Sequence, residues 1–139
     1  MKFSVRSRQT AKFFRPTTWK AAVISITEPG GPLAEFDYPF KHVLRLQFDD
    51  ITKRIDGRYA FTSDDAKKIL KFMAGVEGKV NEVLVHCEAG ISRSAAVAAA
   101  LSKIYNGDDT EFYGPRYRPN SLIYRVLLDE HFGPIVEKD

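Results

Sequence analysis

The sequence predicts an α/β fold: a central, mostly parallel sheet of about four to five strands flanked by helices. Two observations carry this expectation. Short β-branched runs alternate along the chain with longer segments of helical apolar spacing, the order that builds parallel sheets. Glycine, proline and asparagine punctuate the boundaries between the two kinds of segment. A length of 139 residues, 44% hydrophobic and 28% charged, suits one domain over residues 1–139 with a single buried core.

The elements follow in order. "FSVRSRQTAKFF" alternates enough for a first strand. "WKAAVISIT", Trp19 to Thr27, is a β-branched strand closed by the turn signal "EPGGP". "HVLRLQF", His42 to Phe48, alternates apolar and polar and reads as a strand with one buried face. "TSDDAKKILKFMAGV" opens on the capping residues Thr62 and Ser63, with Asp64 and Asp65 as first-turn charges. Its apolar positions Ala66, Ile69, Leu70 and Met73 have helical spacing, and Gly75 and Gly78 mark its end.

"NEVLVHC" is a short central strand, and "SRSAAVAAALSKIY" a helix apolar nearly all round, hence buried, stopped at Asn106-Gly107. "PNSLIYRVLLDEHFGP" is a last helix with Leu122, Ile123, Val126 and Leu127 on its apolar face. The connection "NGDDTEFYGPRYRPN" carries Tyr113, Arg116, Tyr117 and Arg118; it reads as a loop packed over that helix, with the rim of a site as the competing reading.

Bulk properties exclude several classes. The net charge of +3 is mild and dispersed, enough to help meet phosphorylated partners but not a nucleic-acid footprint, and no aromatic platform accompanies it. One cysteine cannot form an internal disulfide. The start "MKFSVRSRQTAKFF" lacks the apolar stretch of a signal peptide, and the longest apolar run, Ala95 to Leu101, is far short of a membrane span. Together these predict a cytoplasmic, reducing location with no membrane partner, where an unpaired thiol persists.

That thiol is Cys87, in "EVLVHCEAGISRSAAVAAAL". A strand ending at Cys87, a loop turning at Gly90 and a helix beginning near Arg93 gather several backbone N–H groups about one point. The helix N-terminus adds partial positive charge, and the result is a cradle for phosphate. The same field favours the thiolate form of a cysteine. An arginine six residues on, Arg93, can grip two oxygens of a phosphoryl group. Nucleophile and clamp in one loop spell phosphoryl transfer through a covalent cysteinyl-phosphate.

"HCEAGISRS" resembles the signature of the cysteine-based protein tyrosine phosphatases, and the layout around it resembles their compact dual-specificity branch, from about the Trp19 strand to the last helix. The resemblance implies Cys87 as nucleophile and Arg93 as phosphate clamp. It implies that Ser94 assists departure of the sulfur and that His86 orders the loop. The backbone amides of Glu88, Ala89, Gly90, Ile91, Ser92 and Arg93 would bind the phosphoryl oxygens, and no metal or other cofactor is required.

The leaving oxygen needs a proton. The resemblance places the acid on the loop after "LRLQF", where Asp50 is the first candidate, Asp49 the near alternative and Asp56 the next. Asp108 and Asp109 occupy the place used by low-molecular-weight phosphatases, whose cysteine lies near the N-terminus, unlike this one. His42 and His131 read as structural or solvent-facing.

The loop interior has one charged residue, the acidic Glu88, which disfavours a polyanionic lipid. The expected substrate is phosphotyrosine on a protein or peptide, with phosphoserine and phosphothreonine as further candidates, and Ile91 and Phe48 are candidates for contact with its ring. Two alternatives stand beside this: a phosphatase on a non-protein substrate, such as an RNA 5′ phosphate or small phosphoester, and a phosphate-binding module without turnover. Retention of both Cys87 and Arg93 argues against the last.

Overall fold

The computed structural model describes residues 1–134. Four strands, β1 (Lys2–Ser7), β2 (Ala21–Thr27), β3 (His42–Gln47) and β4 (Glu82–Cys87), form one sheet in the order β1-β4-β2-β3. Every pairing is parallel. All of β2 and β4 is buried, as an apolar run covered on both faces requires. β3, at the edge, alternates exposed and covered positions.

The register aligns Ser7 with Cys87, Ser25 with His86 and Thr27 with Gln47. All four strands therefore end at one margin of the sheet, the margin where α/β proteins place ligands.

The helices are α1 (Arg8–Ala11), α2 (Ser63–Val76), α3 (Arg93–Asn106) and α4 (Ser121–Phe132). α2 starts at a reciprocal capping box, in which Thr62 Oγ1 accepts from the Asp65 N–H and the Asp65 carboxylate accepts from the Thr62 N–H. α3 is buried from Arg93 through Ser102, and its alanines let it lie against β1 and β4 on one side and α4 on the other. Gly107, at φ 75°, ends it. Among the described residues no helix is long and apolar enough to cross a membrane.

Several boundaries differ from expectation. The first strand stops at Ser7, whose hydroxyl accepts from the Thr10 N–H and starts the single turn α1. Trp19 lies outside β2 and is 70% exposed, because β2 begins only where both faces are covered. Gly75 sits inside α2, and the reversal after the helix falls to Gly78 at φ 81°. The connection 107–120 contains a 3₁₀ turn, Thr110–Tyr113, that buries Phe112 against Tyr117 over the core, while Arg116 and Tyr117 line a groove with Ala89 and Gly90, and Arg118 one with Ser92 and Asp50, so both readings of the segment hold in part.

Candidate active site

The loop between β4 and α3 is shaped by Gly90. Its φ of 72° suits glycine, and a Cβ there would come within 2.6 Å of Arg6 C and Ser7 N at the end of β1. Only glycine lets the loop lie this close to its neighbouring strand. The Arg8 N–H donates to Glu88 O (3.1 Å) and fastens the same edge, and the Arg118 N–H donates to Ile91 O (2.8 Å) from the far side.

Cys87 sits at the base of this loop, 2% exposed. Its sulfur is within 3.3 Å of the Gly90 N–H donor and 3.1 Å of Ser94 Oγ. Ser94, fully buried in the first turn of α3, has this sulfur as its side-chain contact. A thiol in hydrocarbon would have no such donors. The grooves beside the loop are lined by Ala89 and Gly90 on one flank and by Ser92 and Asp50 on the other.

His86 is completely buried. Its Nδ1 lies 3.2 Å from Cys87 O, a carbonyl that can only accept, so the hydrogen belongs on Nδ1. Nε2 then accepts from the Ser25 hydroxyl at 2.6 Å, and the Phe36 ring meets the imidazole edge-on. Burial holds the His86 pKa below the ordinary histidine value; Arg8 and Arg45 push the same way, against the Cys87 carbonyl bond and Glu88. The imidazole is a neutral brace for the cysteine backbone.

Arg93, the first residue of α3, is 6% exposed. Nη1 donates to Phe48 O (2.9 Å) and Nη2 to Glu28 Oε1 (2.6 Å), two bonds that anchor the guanidinium to the ends of β2 and β3. A guanidinium carries five N–H donors, of which these two bonds use two. Three N–H groups take no part in them.

The acids separate clearly. Asp49 is buried; its carboxylate accepts from the Tyr59 N–H (2.7 Å) and pairs with Arg58 (3.3 Å), while its own N–H donates to Tyr59 O. The Tyr59 bond, then Arg58, hold its pKa below the ordinary aspartate value. It clasps the base of the 50–60 loop in ionised form.

Asp50, next in sequence, is exposed and faces the loop between β4 and α3. Its Oδ1 accepts from Ser92 Oγ and from Asn120 Nδ2, both at 2.8 Å. Asp56 is exposed in the outer part of the same loop. Asp108 and Asp109 serve the turn after α3: Asp108 accepts from the Thr110 N–H, and Asp109 accepts from the Tyr124 hydroxyl.

Two expectations about the rim differ. Ile91 is 43% exposed, but Phe48 is 1% exposed and packs edge-on against Phe61 at 4.9 Å, so it cannot touch a substrate ring. Glu88 is not a free negative charge, because Arg8 Nη1 binds it at 3.1 Å.

Glu28 and Asn120 are the residues the sequence reading passed over. Glu28 stood only in a turn signal and Asn120 only as a helix start. Asn120 Oδ1 does cap α4, accepting from Leu122 and Ile123, but its Nδ2 reaches Asp50 and Ile51 O, a tie across 70 residues that no local pattern announces.

A parallel sheet with a cysteine loop between its central strand and a buried helix is the fold of the cysteine-based protein tyrosine phosphatases in their compact dual-specificity form. Human DUSP28 superposes with a TM-score of 0.59 at 16% identity, covering 94% of this chain and 91% of that one. Human tyrosine phosphatase-like serine/threonine/tyrosine-interacting protein gives 0.57 at 20% identity, covering 81% and 76%. PTPMT1, in a complex with PI(5)P, gives 0.54 at 24%, also covering 81% and 76%. A scan against family models and a search of the curated proteins find no match.

Proposed function

We propose that the protein is a metal-independent cysteine phosphatase, with residues 1–139 as its domain, that hydrolyses phosphotyrosine, phosphoserine and phosphothreonine on proteins or peptides in a shallow cleft. The observation that carries this is the setting of Cys87 Sγ, held by the Gly90 N–H and Ser94 Oγ at the buried N-terminus of a 14-residue helix. A backbone N–H and a hydroxyl converging on one sulfur at the start of a helix suit a nucleophile that takes and returns a phosphoryl group.

In the first step the Cys87 thiolate attacks phosphorus, an S–P bond forms and the P–O bond to the leaving group breaks. Asp50 gives its proton to that oxygen, and its Oδ2, the oxygen not engaged by Ser92 or Asn120, is the donor atom. The loop amides from Glu88 to Arg93 and the spare Arg93 donors share the phosphoryl charge. Water then attacks phosphorus with Asp50 as base. The S–P bond breaks, inorganic phosphate leaves and the Ser94 O–H stabilises the returning thiolate.

Protein substrates are favoured over phosphorylated lipids because the loop interior, Glu88 to Ser92, contains no lysine or arginine. A lone thiol at the centre suits a reducing compartment, the cytoplasm. The test is turnover of an aryl phosphate in EDTA by the parent and by Cys87→Ser, followed by a panel of phosphopeptides, phosphoinositides and 5′-phosphorylated RNA. Turnover in EDTA that vanishes with Cys87→Ser and favours peptides supports the reading. Preference for RNA or lipid contradicts its substrate, and binding without turnover contradicts catalysis.

A further inference from the structure

The loop that carries Asp50 also carries a run of cations. Beyond Ile51 it reads Thr52-Lys53-Arg54, and Arg58 follows before α2 begins. These side chains and Arg125 of α4 surround a groove of about 590 Å³ whose floor includes Phe61 and Leu122. No aspartate or glutamate lines it. Arg58 is the only one of the four cations with an ion-pair partner among the described residues, Asp49. Lys53, Arg54 and Arg125 are exposed and unpaired there.

Four gathered cations repel one another, and an anion brought among them relieves that repulsion. The groove is not remote. Thr52 and Lys53 also line the adjoining groove, whose other wall includes Asp50 and Ser92, so a chain leaving the phosphate loop past Ser92 reaches Lys53 without a break. The concave shape and apolar floor suit a side chain of an extended peptide, with exposed Tyr59 at the rim. A flat membrane surface would meet the cations but not the floor.

We propose that this groove is a subsite for an acidic residue, a carboxylate or a second phosphorylated side chain, borne by the same peptide whose phosphoryl group meets Cys87. The proposal rests on the phosphatase reading above. Because Lys53 and Arg54 share the loop of Asp50, an acidic peptide also holds that loop in place during the reaction.

The test compares the parent with a full-length Lys53→Glu, Arg54→Glu, Arg125→Glu variant. Three substrates are used: an aryl phosphate, a phosphotyrosyl peptide with neutral flanks, and the same peptide flanked by glutamates. The parent should prefer the acidic peptide by about tenfold in kcat/KM, a preference that shrinks with added salt and disappears in the variant, with the other two substrates changed by less than about twofold. Equal rates on both peptides by the parent, or equal losses on all three substrates, overturn the proposal.

Binding of the unphosphorylated acidic peptide to the Cys87→Ser protein, read by fluorescence anisotropy, tests the groove even where nothing is hydrolysed. Weaker binding when Arg125→Ala is added supports the proposal, and unchanged binding overturns it. Charge-dependent binding to phosphoinositide vesicles with no preference among peptides also overturns it, in favour of a membrane.

Discussion

Asn120 Nδ2 donates to Asp50 Oδ1 at 2.8 Å and to Ile51 O at 3.1 Å, while the Asn120 backbone N–H donates to Ser92 O at 3.2 Å. One buried residue thus ties the start of α4 to the loop bearing Asp50 and to the loop that follows Cys87. Asn120→Ala should lower turnover of an alkyl phosphate more than that of an aryl phosphate with a good leaving group, because it frees the Asp50 carboxyl from its hold. It should also cost about 1 kcal/mol of stability from the lost cap. An equal loss on both substrates would assign Asn120 to stability alone.

The two neighbouring aspartates should behave differently. Asp50→Asn should slow an alkyl phosphate by about a hundredfold or more and leave thermal stability near the parent's. Asp49→Asn should lower the unfolding midpoint at neutral pH without a leaving-group effect. Because the Asp49 pKa is depressed in the folded state, its contribution is present above the unfolded value and disappears as pH falls through the folded one. The midpoints of parent and Asp49→Asn should therefore converge in strong acid.

His86 makes the complementary prediction. Its folded pKa lies below its unfolded value, so the unfolded chain binds the extra proton first. Stability is full above about pH 6.5 and declines as pH falls below it. A His86→Gln variant should show a flatter profile between pH 5 and 7, read by denaturant midpoints. An equally steep decline would contradict a buried neutral imidazole.

Glu28 holds one end of the Arg93 fork. Glu28→Ala should lower kcat/KM on aryl phosphate by about tenfold by letting the guanidinium wander, with Glu28→Gln partly restoring it through a neutral acceptor. Inorganic phosphate inhibition should weaken in parallel. Unchanged inhibition would show that Arg93 orients itself.

Gly90→Ala should damage activity and stability together. The left-handed φ alone costs about 1–2 kcal/mol, and the new methyl collides with the β1 backbone at Arg6 and Ser7. Urea titration and aryl phosphate kinetics on the same preparation read both effects.

Much of this was readable in advance because it depends on neighbours in sequence. The buried strand before Cys87, the alanine helix after Arg93 and the turn at Gly90 are local consequences of hydrophobic pattern and backbone freedom. The Asp49–Asp50 pair could be placed beside the loop but not resolved, since which carboxylate faces Ser92 depends on the clasp between Asp49 and Tyr59 across ten residues. Phe48 was misassigned to the rim for the same reason: the edge strand ends one residue earlier, and Phe61 from beyond the loop covers the ring. The direction of the Arg93 fork required Glu28, 65 residues away, and no periodicity reports such a contact.

Whether sulfur is the atom that takes the phosphoryl group is read most directly by acid quenching during turnover. Protein mixed with excess aryl phosphate in EDTA, quenched and digested, should yield the peptide containing Cys87 with one phosphoryl group on the thiol, accumulating further in an Asp50→Asn background. No phosphorylated cysteine peptide, together with undiminished turnover by Cys87→Ser, would contradict it.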